Sequence, residues 1–152
     1  MQGYPMQIEK YMIYYSYLDD TPFKEFIKKF AKENDLKLIV VGFDYKWCDD
    51  QIIVTPRQFL SVMKHAQYVV TSTYHGTVFS TLLKKKFVVI HPSIKVIDYL
   101  EQKGLKKISF LESGYDNFSK FLLDDIDYDL VWDKLNTLRE FSVHCINENL
   151  NK

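Results

Sequence analysis

Residues 66–80 read Ala-Gln-Tyr-Val-Val-Thr-Ser-Thr-Tyr-His-Gly-Thr-Val-Phe-Ser, and that order leaves little choice of local structure. A β-branched apolar run gives way at once to small hydroxyl residues, a His-Gly pair and the start of an amphipathic helix. β-branched residues favour a strand, and hydroxyls favour the turn and cap that follow. A strand running directly into a helix is the unit of a parallel α/β sheet, and ligands bind where such strands end.

The rest of the chain repeats the alternation. Tyr11 to Tyr17 reads as a strand. Thr21 as N-cap and Pro22 at the first helical position predict a helix whose apolar face is Phe23, Phe26, Ile27, Phe30 and Ala31. Leu36 to Val41 is apolar apart from Lys37 and ends at Gly42, as a strand covered on both faces does. A polar, aromatic loop spans Phe43 to Asp50, and Ile52 to Val54 is a short extended piece. Thr55-Pro56-Arg57-Gln58 is a capping box, opening a helix with Phe59, Leu60, Met63 and Ala66 inward. Tyr68 to Thr71 is the next strand, followed by a helix expected to bury Val78, Phe79, Leu82 and Leu83.

Phe87 to Ile90 is a strand broken by His91-Pro92, and Ser93 caps a helix bearing Ile94, Ile97 and Leu100, stopped by Gly104. Ile108 to Leu111 reads as a last short strand and Asn117 to Leu123 as a short helix. Asp127 or Asp129 opens a long helix to about Asn147, with Val131, Leu135, Leu138, Phe141 and Cys145 inward. The expectation is one Rossmann-like, doubly wound α/β domain over residues 1–152 with a mainly parallel sheet. No internal repeat or linker interrupts it.

With 152 residues, 47% of them apolar, the chain can bury a real core. Its 20 basic and 20 acidic side chains balance, which argues against a nucleic-acid surface. Lys84-Lys85-Lys86 reads as a solvated helix end rather than a phosphate site. Cys48 and Cys145 are far apart and show no metal spacing, so a reducing, cytoplasmic setting is expected. No apolar run approaches the length of a membrane span.

Neither GxGxxG nor GxxxxGK[ST] is present, nor are GxSxG and HExxH. The four histidines share no metal-ligand spacing, and no metal or cofactor is expected. His75 stands out by position, in a helix first turn beside Gly76 and after the hydroxyls Thr71 to Thr73. Free amides there favour a phosphate or carboxylate, and an imidazole can bond that anion or move a proton. The plainer alternative is that Ser72 or Thr73 merely caps the helix and His75 fills a gap. His91 follows a strand on the same edge, and Lys95 sits in a first turn where a cation does not serve helix stability. Ser16 and Tyr17 end the first strand and are placed to line the same crevice. His65, at a helix C-terminus, reads as structural, and His144 as a surface residue. Arg57 carries little weight, and Asp44, Asp49 and Asp50 read as a solvated loop before a metal site.

The stretch Thr55 to Leu60, then Ala66 to Ser80, then Lys86 to Ile90 resembles the polysaccharide pyruvyl transferase family. That family carries a strand ending in Thr, a His-Gly pair and a helix leading to a further strand; Phe87 stands where its proline would be. The likeness extends to Ile126-Asp127-Tyr128 and the final helix, and corresponds to the C-terminal half of a typical member. Thr73 stands where many members have Arg, and Lys95 where many have Arg after the next strand.

The resemblance implies a fold like the C-terminal half of a GT-B glycosyltransferase. It implies transfer of the pyruvyl group of phosphoenolpyruvate to sugar hydroxyls, as a ketal, in surface polysaccharide synthesis. His75 is then the catalytic position, with Ser72, Thr73, Tyr74, Gly76, Thr77, His91 and Lys95 binding substrate. The partners implied are phosphoenolpyruvate, a glycan acceptor (a lipid-linked one among the candidates) and an N-terminal domain or chain absent from these 152 residues. Two alternatives stay open: a nucleotide-sugar-binding domain of a GT-B-like glycosyltransferase, and a non-catalytic partner domain.

Overall fold

A computed structural model describes residues 9–105, 108–110, 114–133 and 136. Among the described residues six strands form one sheet: β1 (Tyr11–Tyr15), β2 (Lys37–Val41), β3 (Asp50–Ile52), β4 (Tyr68–Thr71), β5 (Lys86–Ile90) and β6 (Ser109–Phe110). Among the described residues the helices α1 (Lys24–Glu33), α2 (Pro56–His65), α3 (Tyr74–Leu82), α4 (Ile94–Gln102) and α5 (Tyr115–Leu123) join or follow them. Strand order is β3-β2-β1-β4-β5-β6, and every pairing is parallel. Ile13 of β1 sits at the centre, opposite Ile39 on one side and Val69 on the other.

The chain therefore winds outward from β1 to β3, returns to the middle, and winds outward again from β4 to β6. Right-handed crossovers in opposite directions put their helices on opposite faces. Accordingly α1 packs on one face, with Phe23, Ile27 and Phe30 buried against Met12, Tyr14, Leu38 and Val40. Helices α2, α3 and α4 pack on the other, where Met63, Val96 and Leu100 meet Ile13, Ile39, Val69 and Phe87. Between β2 and β3 no helix forms; the loop lays Tyr45 and Trp47 on the α1 face instead. Helix α5 completes that face through Phe118, which packs 5.9 Å from the ring of Phe26.

Several sequence expectations hold in detail. β4 has the expected bounds, the expected inward face of α1 is found, and both halves of the capping box form at Thr55 and Gln58. Ser93 caps α4 by accepting from the Val96 amide at 3.3 Å. Gly42 and Gly104 take positive φ at the ends of β2 and α4.

Others are corrected. Thr21 is not the N-cap of α1: Phe23 holds that position, and the Thr21 hydroxyl accepts from its amide in a turn one step earlier. β3 ends at Ile52, so Ile53 is 84% exposed rather than extended within the sheet. On α2 the inward residues include Val62, while Leu60 faces solvent; on α4, Val96 is buried and Ile94 is exposed. Most consequential is α3, whose buried stripe is Gly76, Thr77, Ser80 and Thr81, with Leu82 outside and Val78 only partly covered. The small side chains bring this helix close onto the sheet, and Phe79 and Leu83 fill the flanks. The chain is helical again at 128–133, with Val131 buried as expected; Leu135, Leu138, Phe141, His144 and Cys145 lie outside the described residues.

Candidate active site at the strand-order switch

Winding reverses between β1 and β4, so their helices leave to opposite faces and a crevice opens at their carboxyl ends. Ser16 follows β1 and Ser72 follows β4, and their hydroxyls are hydrogen-bonded at 2.6 Å across that crevice. Thr71, fully buried, donates to the Tyr15 carbonyl at 2.7 Å and stitches the two strand ends together beneath. Ser16 also accepts from the Leu18 amide at 3.1 Å, which turns the chain away from β1.

The turn into α3 is held from inside. Thr73 is the N-cap and accepts from the Gly76 amide at 2.8 Å; its own amide donates to Thr71 at 3.1 Å. The Thr77 hydroxyl donates to the Thr73 carbonyl at 2.7 Å. Thr73, Gly76 and Thr77 are buried, and these bonds fix the turn. A Cβ at Gly76 would lie 2.7 Å from Thr73 Oγ1 and 2.9 Å from Thr71 Cβ. Thus the glycine is demanded by the neighbouring threonines.

What remains open outward is the first turn itself. The amides of Tyr74 and His75 precede the first intrahelical bond and point out of the helix, where its dipole is positive. His75 is exposed, its ring stacked 6.5 Å from Phe79. Phe79 leans on Phe59 of α2, which leans on Tyr15, so the imidazole stands on a packed aromatic column. Tyr74 is half-buried against Tyr99 of α4. Lys95 places its ammonium 4.1 Å over the Tyr74 ring, joining the first turns of α3 and α4. A cation in a first turn thereby acquires a partner in the motif.

His91 is built differently. It follows β5 with φ +46, a left-handed conformation uncommon outside glycine. Its Nε2 lies 3.1 Å from the Thr21 hydroxyl and its ring 5.2 Å from Phe23, both on the α1 side of the sheet. His75 and His91 thus stand on the same carboxyl edge but are anchored to opposite faces. Thr21 orients His91 instead of capping α1.

The remaining candidates resolve into structural parts. His65 Nδ1 contacts the Ser61 carbonyl at 2.8 Å. Asp49 accepts from the Leu38 amide, Asp50 pairs with Lys37, and Asp44 pairs with Lys46, so the three carboxylates engage separate partners. Burial, with Asp49 and Asp19 adding to it, pushes the Cys48 thiol up to about 12, so it is not a reactive thiolate. In the lysine run, Lys85 donates to the carbonyls of Lys64 and Ala66, both at 2.6 Å, and closes the end of α2. Burial lowers its pKa.

This fold defines the class: a Rossmann-like α/β domain with the N-terminus of α3 at the strand-order switch. Solved glycosyltransferases and a sugar-nucleotide epimerase share that fold. One neighbour is the UDP-GlcNAc 2-epimerase of Methanocaldococcus jannaschii, solved with UDP-GlcNAc and UDP (TM-score 0.56, 13% identity, covering 88% of this chain and 46% of that one). A second is the glycotransferase of kitacinnamycin (TM-score 0.56, 16% identity, 91% and 41%). A third is the glycosyltransferase SnogD from Streptomyces nogalater (TM-score 0.53, 13% identity, 88% and 40%). The chain therefore spans less than half the length of these structures. No curated protein sequence matches it. The family model described as polysaccharide pyruvyl transferase matches residues 4–93, more than half of the chain, and the chain belongs to that family. No helix among the described residues is long and apolar enough to cross a membrane.

Proposed function

We propose that this chain is the donor-binding half of a pyruvyl transferase, holding phosphoenolpyruvate at the N-terminus of α3 for transfer of pyruvyl to a sugar. The observation that carries the reading is His75, exposed in the first turn of a helix that is fixed at the strand-order switch. Family membership supports the reaction class.

Phosphoenolpyruvate bears a phosphate on an enol carbon. Protonation of its CH2 carbon makes the neighbouring carbon electrophilic, and one sugar hydroxyl adds there. A second hydroxyl forms the other C–O bond as the C–O bond to phosphate breaks. Of the two hydroxyl protons, one is balanced by the new methyl group and one by the departing phosphate. The open amides of Tyr74 and His75 meet the phosphate, and the His75 imidazole hydrogen-bonds or protonates it as it leaves. Lys95, held at Tyr74, adds positive charge without the paired donors of an arginine. His91 borders the crevice from the other face, and Ser72 bridges to Ser16 between them. A second domain or chain covers the crevice and helps hold a glycan acceptor, and the reaction lies in surface-polysaccharide synthesis in the cytoplasm.

Likeness in fold to a UDP-GlcNAc 2-epimerase solved with UDP favours one other reading, a nucleoside diphosphate on the same helix terminus. Calorimetric titration with phosphoenolpyruvate and with UDP separates them. Binding of phosphoenolpyruvate in preference to UDP is expected. The reverse preference replaces the proposal with the nucleotide-sugar reading.

A further inference from the structure

Tyr17 is 70% exposed, although it lies between Ser16, at the floor of the crevice, and Leu18. Its loop is nevertheless held at three points by aromatic side chains. Tyr45 donates to the Ser16 carbonyl at 2.8 Å, Tyr14 to the Leu18 carbonyl at 2.6 Å, and Trp47 Nε1 to the Asp19 carbonyl at 3.0 Å. These anchors are themselves packed: Tyr14 lies 4.9 Å from Trp47, and the Tyr45 and Trp47 rings are parallel to within 6°. Phe43 stacks on Tyr45 at 5.3 Å and presents itself to the edge of Tyr17 at 5.4 Å. An aromatic row thus runs from the α1-side core out to an exposed ring beside the candidate donor site.

A ring held this way loses little further freedom when a ligand covers it, and rigid aromatic surface with polar groups nearby is what sugar rings stack on through their C–H faces. Apolar Phe43 and Ile53 follow the adjacent strands β2 and β3 on the same edge, so the surface continues beyond one ring. We propose that Tyr17, backed by Phe43, is a stacking platform for a pyranose ring of the acceptor glycan. This rests on the pyruvyl-transfer reading for the acceptor's identity, but not for the contact itself.

The test is saturation-transfer NMR on the full 152-residue chain with methyl glucoside, galactoside and mannoside, each also run with Tyr17→Ala and Tyr17→Phe. At least one pyranoside is expected to bind through its ring C–H protons, about fivefold to tenfold more weakly in Tyr17→Ala and unchanged in Tyr17→Phe. Equal binding by wild type and Tyr17→Ala overturns the platform, as does absence of saccharide contact in the wild type. Phosphoenolpyruvate is titrated in parallel, following the amides of residues 72–78. Shifts there with no sugar effect leave the donor reading intact and remove only the platform. Sugar binding without those shifts keeps the platform and removes the donor reading.

Discussion

Replacing a helical glycine by alanine ordinarily stabilises a protein, but at Gly76 the sign reverses because Thr71 and Thr73 already occupy the space a Cβ needs. Gly76→Ala is expected to cost about 1–3 kcal/mol, as overpacking does, read as a lower denaturant midpoint at unchanged slope. A neighbouring substitution behaves oppositely. His75 is exposed, so His75→Ala is expected to move folding stability by no more than about 0.5 kcal/mol while removing the proposed contact to phosphoenolpyruvate. The sequence singles out both positions, but as a site residue and its neighbour, without a packing reason for the glycine. The structure supplies that reason in threonine side chains, contacts between a strand end and a helix that residue types alone do not encode. His91 shows the same limit: its place on the edge follows from the strand before it, whereas its bond to Thr21 joins positions 70 residues apart.

Helix α2 is the element whose boundary was most legible, because a capping box is a local device written in four consecutive residues. Thr55→Ala is expected to lower stability by about 1 kcal/mol, measured by thermal or chemical unfolding, with the fold unchanged. Helix α3 was legible at its start and misleading along its length. Hydrophobicity pointed to Val78 and Leu82 as the inward residues, but the sheet takes the small face instead. The stripe of Gly76, Thr77, Ser80 and Thr81 satisfies its hydroxyls partly within the helix, as Thr77 and Thr81 do on preceding carbonyls, and so it can be buried. At α1, Thr21-Pro22 carries a valid capping pattern that the turn preceding the helix uses instead.

For the molecule as a whole, alternation of strand and helix points to a parallel sheet with ligands at its carboxyl edge, while the 3-2-1-4-5-6 order is a matter of long-range pairing that the structure supplies. The core also fixes an alkaline limit. Burial pushes the Tyr11 and Tyr14 phenols up to about 12 from 10.0, and the Cys48 thiol to about 12 from 9.0. Between these values the unfolded chain has released protons that the native state retains, so stability is fully present below about pH 9 and falls as pH rises toward about 12. Tyr11→Phe is expected to flatten that decline in pH-dependent denaturation. The central claim, that the α3 terminus holds phosphoenolpyruvate, is tested most directly by amide NMR titration of the chain and of His75→Ala. Shifts confined to Ser72 through Val78 in the wild type and lost in the variant are predicted. The same shifts in both proteins, or none at those residues in the wild type, would contradict it.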